Sequence, residues 1–273
     1  MKIKINKFLI LISIIIVGLT SIIAGYYFIK KEKTIQKTQE NIGKVVKTKR
    51  NKLHDFVSKH LKDLDIEANK IALNSSSLIL SSSAIDSIKL EQNYILVSTD
   101  RKVLLSNNKA VPANTSYSSG PYKSSNLGKL LDRVITILSS DISSYDYYPT
   151  LTEPNMFAAA PIIDSNKILK GFLINEIPFK NFINSLKENN PSNKIQWIIT
   201  SLEDQEEKVI FHASDSQNYA KEIEEKYPEL LKKVISEESG NDIIKSANMH
   251  WVIGNWTYEP YTTWNIVAFA EYN

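Results

Sequence analysis

The chain has 273 residues, 42% of them apolar and 23% charged, enough to bury a core over one or two domains and too apolar for a disordered chain. It holds no cysteine, four histidines and eight glycines. That excludes disulfide frameworks, thiol nucleophiles, iron–sulfur clusters and thiolate zinc sites, and leaves little for a glycine-rich phosphate loop or a histidine metal centre. Fifteen of the 33 basic and six of the 30 acidic side chains fall within residues 1–70, so this arm carries +9 and the remainder −6. A mildly acidic globular part has no clustered Lys/Arg face for nucleic acid, whereas a basic arm beside an apolar segment suits anionic lipid headgroups.

In chain order, residues 1–7 are a short lysine-bearing terminus expected in the cytoplasm. Residues 8–29 (FLILISIIIVGLTSIIAGYYFI) contain no charge. At 1.5 Å per residue they make about 33 Å of helix, enough to cross a hydrocarbon core of roughly 30 Å. Tyr26, Tyr27 and Phe28 stand where an interfacial aromatic belt belongs, with Lys30, Lys31 and Lys33 at headgroup level. A cleaved signal peptide is the competing reading, with Lys2, Lys4 and Lys7 as its charged region. The run is long for that, and Ile22 and Ile23 occupy positions that should be small before Ala24 or Gly25. The expectation is one retained transmembrane anchor. Three lysines precede it, and seven basic residues lie in the 20 positions after it, so literal positive-inside counting keeps the large domain in the cytoplasm.

Residues 30–75 predict a long stalk helix. From residue 30 to 73 there is no proline and one glycine, Gly43, and apolar positions recur at Ile35, Ile42, Val46, Leu53, Phe56/Val57, His60/Leu61, Leu64, Ala68 and Ile71. His54 and His60 are read as solvated or seam residues, and pairing with a second copy of the helix is plausible. Beyond a serine-rich turn at 75–83, residues 93–99 and 102–106 read as a hairpin around Asp100-Arg101. A polar loop, 107–125, precedes a helix at 126–138 and strands at 142–148, 156–163 and 168–177. A helical connection, 178–186, ends at Asn189-Asn190-Pro191. The order then repeats: a hairpin of 195–201 and 208–213, a helix over 219–237 stopped by Ser239-Gly240-Asn241, and strands at 242–247, 250–258 and 264–272. The predicted class is α+β, with two five-stranded antiparallel units over 76–178 and 179–273.

This organisation resembles the double Cache (tandem PAS-like) sensor domains of bacterial chemoreceptors and membrane-bound histidine kinases. The stretch 144–177, SYDYYPTLTEPNMFAAAPIIDSNKILKGFLINEI, looks like the family's aspartate-bearing strand, proline turn, aromatic–Ala–Ala–Pro strand and glycine-containing final strand. YILVSTDRKVLL at 94–105 is similar to the opening hairpin, and TWNIVAF at 263–269 to the closing strand of the membrane-proximal unit. The resemblance implies an extracytoplasmic domain on the cytoplasmic membrane, and that placement is preferred over the charge count. Three departures stand out. Relatives continue into a second span and a cytoplasmic signalling region, whereas this sequence stops at Asn273. The arginine–tryptophan–tyrosine signature of the amino-acid-binding subgroup is absent around 117–133. Glycine is scarce in the proximal unit.

By position in the family, the ligand lies in the distal unit between sheet and covering loop. The loop supplies Tyr117, Tyr122 and Lys123, and the strands Asp146, Tyr148, Phe157 and Ala159. A pocket for an amine or other polar metabolite wants one carboxylate, aromatic walls and a donor or two. Asp146 and Tyr148 share one strand face, Tyr145 and Tyr147 the other. The plain alternative makes Asp146 a turn cap or a partner of Lys123. Trp197, Trp251, Trp256 and Trp264 all lie in the proximal unit and read as core, with Trp251 and Trp256, five apart, facing opposite sides. His212, His250 and Asp215 are a weak metal signal, and no cofactor, metal site or catalytic residue is expected. The expected function is an anchored sensor that binds a small ligand or periplasmic partner and relays a conformational signal through the stalk to a signalling partner or a homodimer mate. The alternative is a Cache-derived envelope scaffold without a ligand.

Overall fold

The computed structural model describes residues 2–74, 94–106, 111–120, 122–143, 155–186, 195–203, 206–212 and 217–272. Among them are five helices and ten strands. Helix α1, Lys2–Asn74, is one uninterrupted element. It is followed by β1 Tyr94–Ser98, β2 Val103–Ser106, α2 Asn126–Ile137, β3 Asp141–Ile142, β4 Asn155–Ile163, β5 Leu169–Pro178 and α3 Phe179–Leu186. The second half comprises β6 Gln196–Glu203, β7 Glu206–His212, α4 Gln217–Lys226, α5 Pro228–Ser236, β8 Ser239–Lys245, β9 Trp251–Glu259 and β10 Trp264–Tyr272.

The two halves are wound alike. One sheet has the order β2-β1-β5-β4-β3 and the other β7-β6-β10-β9-β8, and every pairing is antiparallel. The expected repetition of topology is present in full. Strand alternation sends each sheet's two faces to different cores. Met156, Ala158, Ala160 and Ile162 of β4 face α1, as do Trp264, Ile266, Ala268 and Ala270 of β10. The intervening Phe157 and Ala159 face a cluster with α2, and Val267 and Phe269 face one with α4 and α5. The layer on the other side is α1, whose Ile42, Val46, Leu53, Val57, Leu61, Leu64 and Ala68 are buried in a cluster that runs over both sheets. Their spacing of three, four and seven gives the helix a single apolar stripe along the distal part of the stalk.

Two expectations are corrected. The single helix expected over 219–237 is two, because Pro228 has no N–H and its ring would clash with the carbonyl one turn back; it opens α5 at the first position instead. Ser239-Gly240-Asn241 does not stop that helix but begins β8, since α5 has already ended at Ser236. The strand expected at 142–148 is described only as Asp141–Ile142, and the remainder from residue 144 lies outside the described residues. Residues 30–74 of the expected stalk are helical throughout, continuous with the residues before them in α1. Among the described residues no helix is long and apolar enough to cross a membrane. The first residues of the expected 8–29 span have side chains outside that description.

Candidate functional site

The face of the first sheet turned away from α1 is closed by α2 and by the chain between β2 and α2. Ser125 caps α2, its hydroxyl accepting from the Gly128 N–H at 3.1 Å. Leu138 ends the helix in the left-handed region at φ 50°, its N–H bonded to the Val134 carbonyl. Leu127, Leu130, Leu131 and Val134 point at the sheet. Gly128 sits so close to the preceding turn that a Cβ there would run into the carbonyls of Tyr122 and Lys123. The absence of a side chain at Gly128 thus sets how near α2 comes to the loop that bears both residues.

The covering chain is tied to the hairpin. Tyr117 N–H donates to Arg101 O at 2.9 Å, Asn114 N–H to Val103 O at 2.8 Å, and Lys102 and Ser116 form an isolated bridge. Tyr117 is fully buried in the cluster that holds Phe157 and Ala159. Tyr122 packs its ring edge-on to Tyr117 at 5.6 Å between centroids and is 40% exposed, and Lys123 is exposed. Tyr117, Phe157 and Ala159 therefore share one buried cluster, and Tyr122 lies at its exposed edge. Asp146 and Tyr148, expected to supply the carboxylate and a wall, lie outside the described residues, as do Tyr145 and Tyr147.

Residues that the sequence did not single out brace this region. Arg101, at φ 65° in the hairpin turn, reaches Asp132 of α2 at 2.6 Å. Arg133 donates to Asp141 at 2.6 Å and to the Ile142 carbonyl at 2.8 Å, fastening α2 to β3. Glu176, opposite Phe157 in the β4–β5 register, accepts from the Asn155 amide, and its burial raises its carboxyl above the ordinary range. None of these carried a spacing signal, since each partner comes from a different element.

Of the histidines, His54 and His60 sit along the seam between α1 and the domain: His54 meets Glu259 at 3.1 Å and His60 packs edge-on to Phe56 at 4.4 Å between ring centroids. Trp256 is buried, whereas Trp251, expected in the core, is exposed, because the two lie an odd number of positions apart on β9 and face opposite sides. Among the described residues no group of three His, Asp or Glu side chains is placed to hold a metal ion. The His212 side chain and Asp215 lie outside them.

Two consecutive sheets of 2-1-5-4-3 order, strung along one long N-terminal helix, are the double Cache fold. The chain is similar to the ligand-binding domain of the Pseudomonas aeruginosa amino acid chemoreceptor PctB with L-Arg. The TM-score is 0.62 at 10% identity, over 86% of this chain and 96% of that one. It is similar also to the sensory domain of the Campylobacter jejuni chemoreceptor Tlp3 with isoleucine bound, at TM-score 0.63 and 13% identity over 88% and 95% of the two chains. The ligand-binding domain of Pseudomonas fluorescens CtaA with L-isoleucine gives TM-score 0.61 and 14% identity over 88% and 95%. No protein-family model and no curated protein sequence matches the chain. Each of these neighbours is a ligand-binding or sensory domain of a chemoreceptor with an amino acid bound.

Proposed function

We propose that the chain is a membrane-anchored extracytoplasmic sensor, with residues 1–7 in the cytoplasm, 8–29 as a single span and 30–75 as the stalk. Residues 76–178 are its membrane-distal, ligand-binding unit and 179–273 its membrane-proximal unit. The observation that carries this is the double Cache fold itself, held in common with ligand-binding domains over nearly their whole length. The ligand seat is the cover face of the first sheet: Tyr117, Phe157 and Ala159 as floor, Tyr122 and Lys123 as lip, Asp146 and Tyr148 as carboxylate and wall. That set recognises a small molecule with a cationic amine and an apolar or polar tail, through one carboxylate and cation–π contact with the tyrosines. An amino acid fits this class, as do the L-Arg and isoleucine complexes of the neighbours.

The relay runs through α1, whose buried stripe packs against both sheets and which leads on toward the span. A change at the first sheet is felt by the helix that the second sheet also grips, and is passed to a signalling partner or a homodimer mate in the cytoplasmic membrane. A thermal-shift screen of the full chain against amino acids and polyamines tests this. A ligand at a hundredfold excess over its Kd adds about 2.7 kcal/mol, an easily read rise in Tm, and Tyr122→Ala abolishes it.

The full burial of Tyr117, Phe157 and Ala159 favours a second reading, an envelope scaffold whose first unit is packed shut. On that reading no compound in the screen raises Tm, whereas the sensor reading requires at least one that does.

A further inference from the structure

A concave site lies on the α1 side of the second sheet, between the helix and the sheet's edge. It is a groove of about 540 Å³ lined by Lys47, Arg50 and Asn51 of α1 and by Asn241, Asn255 and Trp256 of β8 and β9, among others. No residue lining it is acidic; at its rim the Glu237 carboxylate packs beside Gly240. The Arg50 Nε–H is buried and has no hydrogen-bond partner among the described residues. A buried guanidinium donor without an acceptor costs about 1–3 kcal/mol, and an incoming anion removes that cost. Lys47 stands one helical turn before Arg50 and reaches the same side.

The other walls suit a polar guest. The amides of Asn241 and Asn255 offer donors, and the Trp256 indole is fixed by its N–H bond to the Glu237 carbonyl at 3.1 Å. Gly43, the lone glycine of the stalk, lies at the mouth, where a Cβ would stand 3.7 Å from the Asn255 amide nitrogen. The missing side chain keeps this end of the groove open.

We propose that this groove binds a small soluble anion with paired carboxylate or phosphate oxygens, held by the Arg50 fork with Lys47 and the asparagine amides completing its shell. A volume of this size is that of a metabolite site. On the anchored reading the groove begins about 21 Å up the helix from Ile29, above the headgroup layer, so the ligand is a free anion and not a lipid. Because its walls come from α1 and from β8–β9, the bound anion braces the stalk against the second sheet, independently of any ligand on the first.

The test uses the full chain in neutral-lipid nanodiscs, titrated with succinate and with inorganic phosphate at constant ionic strength against a potassium chloride control. The expected result is a saturable rise in Tm with at least one of the two. Arg50→Gln weakens the apparent affinity about tenfold or more, in line with the loss of a charge-assisted pair; Lys47→Gln, at an exposed position, weakens it less, and Tyr122→Ala leaves it unchanged. If Arg50→Gln does not fold, Lys47→Gln decides alone. No rise beyond the chloride control, a rise that neither variant weakens, or stabilisation only when anionic lipid is added to the nanodisc overturns the proposal.

Discussion

His54 on the long helix and Glu259 at the end of β9 meet at 3.1 Å, although 205 positions separate them in the chain. Glu259 is completely buried, and its other oxygen accepts from both the N–H and the hydroxyl of Thr262, at 2.8 and 2.9 Å. The His54 ring also lies 5.0 Å from that of Tyr261. One carboxylate thus closes the β9–β10 turn and pins the stalk to it. Glu259→Ala strands those donors in the interior and is expected to destabilise the protein by about 2–4 kcal/mol. His54→Ala, at a partly exposed position, costs about 1 kcal/mol or less. Urea unfolding followed by tryptophan fluorescence measures both.

Gly128→Ala is expected to weaken the first unit selectively. Its new methyl group would overlap the Tyr122 and Lys123 carbonyls, backbone atoms that cannot rotate away. Overpacking of this kind costs about 1–3 kcal/mol. Hydrogen exchange should quicken in α2 and leave α4 and α5 unchanged; equal protection in α2 before and after the substitution would contradict the account of the cap.

The second unit carries a pH signature. Tyr227 donates to Glu271 at 2.8 Å, and Lys226 lies 3.0 Å from the same carboxylate. Burial first, and Glu271 second, push the Tyr227 hydroxyl up to about 12 from its ordinary 10.0. Between those values the native state holds a proton the unfolded chain has lost, so stability is intact below pH 10 and falls as pH rises toward 12. Hydrogen bonding from Lys226 is the main reason the Glu271 carboxyl is held below its ordinary 4.5. Its contribution is therefore present above that pH and is lost on acidification through the lowered value. Tyr227→Phe should flatten the alkaline fall in Tm without removing the acid one, since Lys226 remains.

A third titration belongs to the seam. Burial, the largest influence, holds His60 below its ordinary 6.5. Stability linked to it is present above pH 6.5 and declines as the pH falls further, because the unfolded chain then takes up the proton more readily. His60→Phe keeps the edge-on contact with Phe56 and should reduce the slope of Tm between pH 5 and 7.

Much of this architecture could be read from periodicity. The two-fold strand–strand–helix–strand–strand–strand order and the apolar stripe of α1 follow from alternation and from three-four spacing, and both are in place. Lys49 shows why the rest could not be read. A pattern of apolar residues scores a lysine as surface, yet Lys49 is buried, its ammonium 4.6 Å from the Trp197 ring centre and donating to the Leu186 carbonyl. Those partners lie on elements far along the chain, and only the fold supplies them. The missed break at Pro228 is different: its signal was in the sequence, overridden by an amphipathic pattern that continues from α4 into α5. At the candidate site, Tyr117, Phe157 and Ala159 do converge, while Arg101–Asp132 and Arg133–Asp141 were invisible because an ion pair across elements leaves no spacing.

The central claim is that the first unit is a ligand receptor. Isothermal titration of the full chain with single amino acids and polyamines, alongside Tyr122→Ala, tests it most directly. The account predicts saturable one-to-one binding of at least one such amine, lost in Tyr122→Ala. Binding unaltered by that substitution, or no heat from any compound while the protein stays folded, would contradict it.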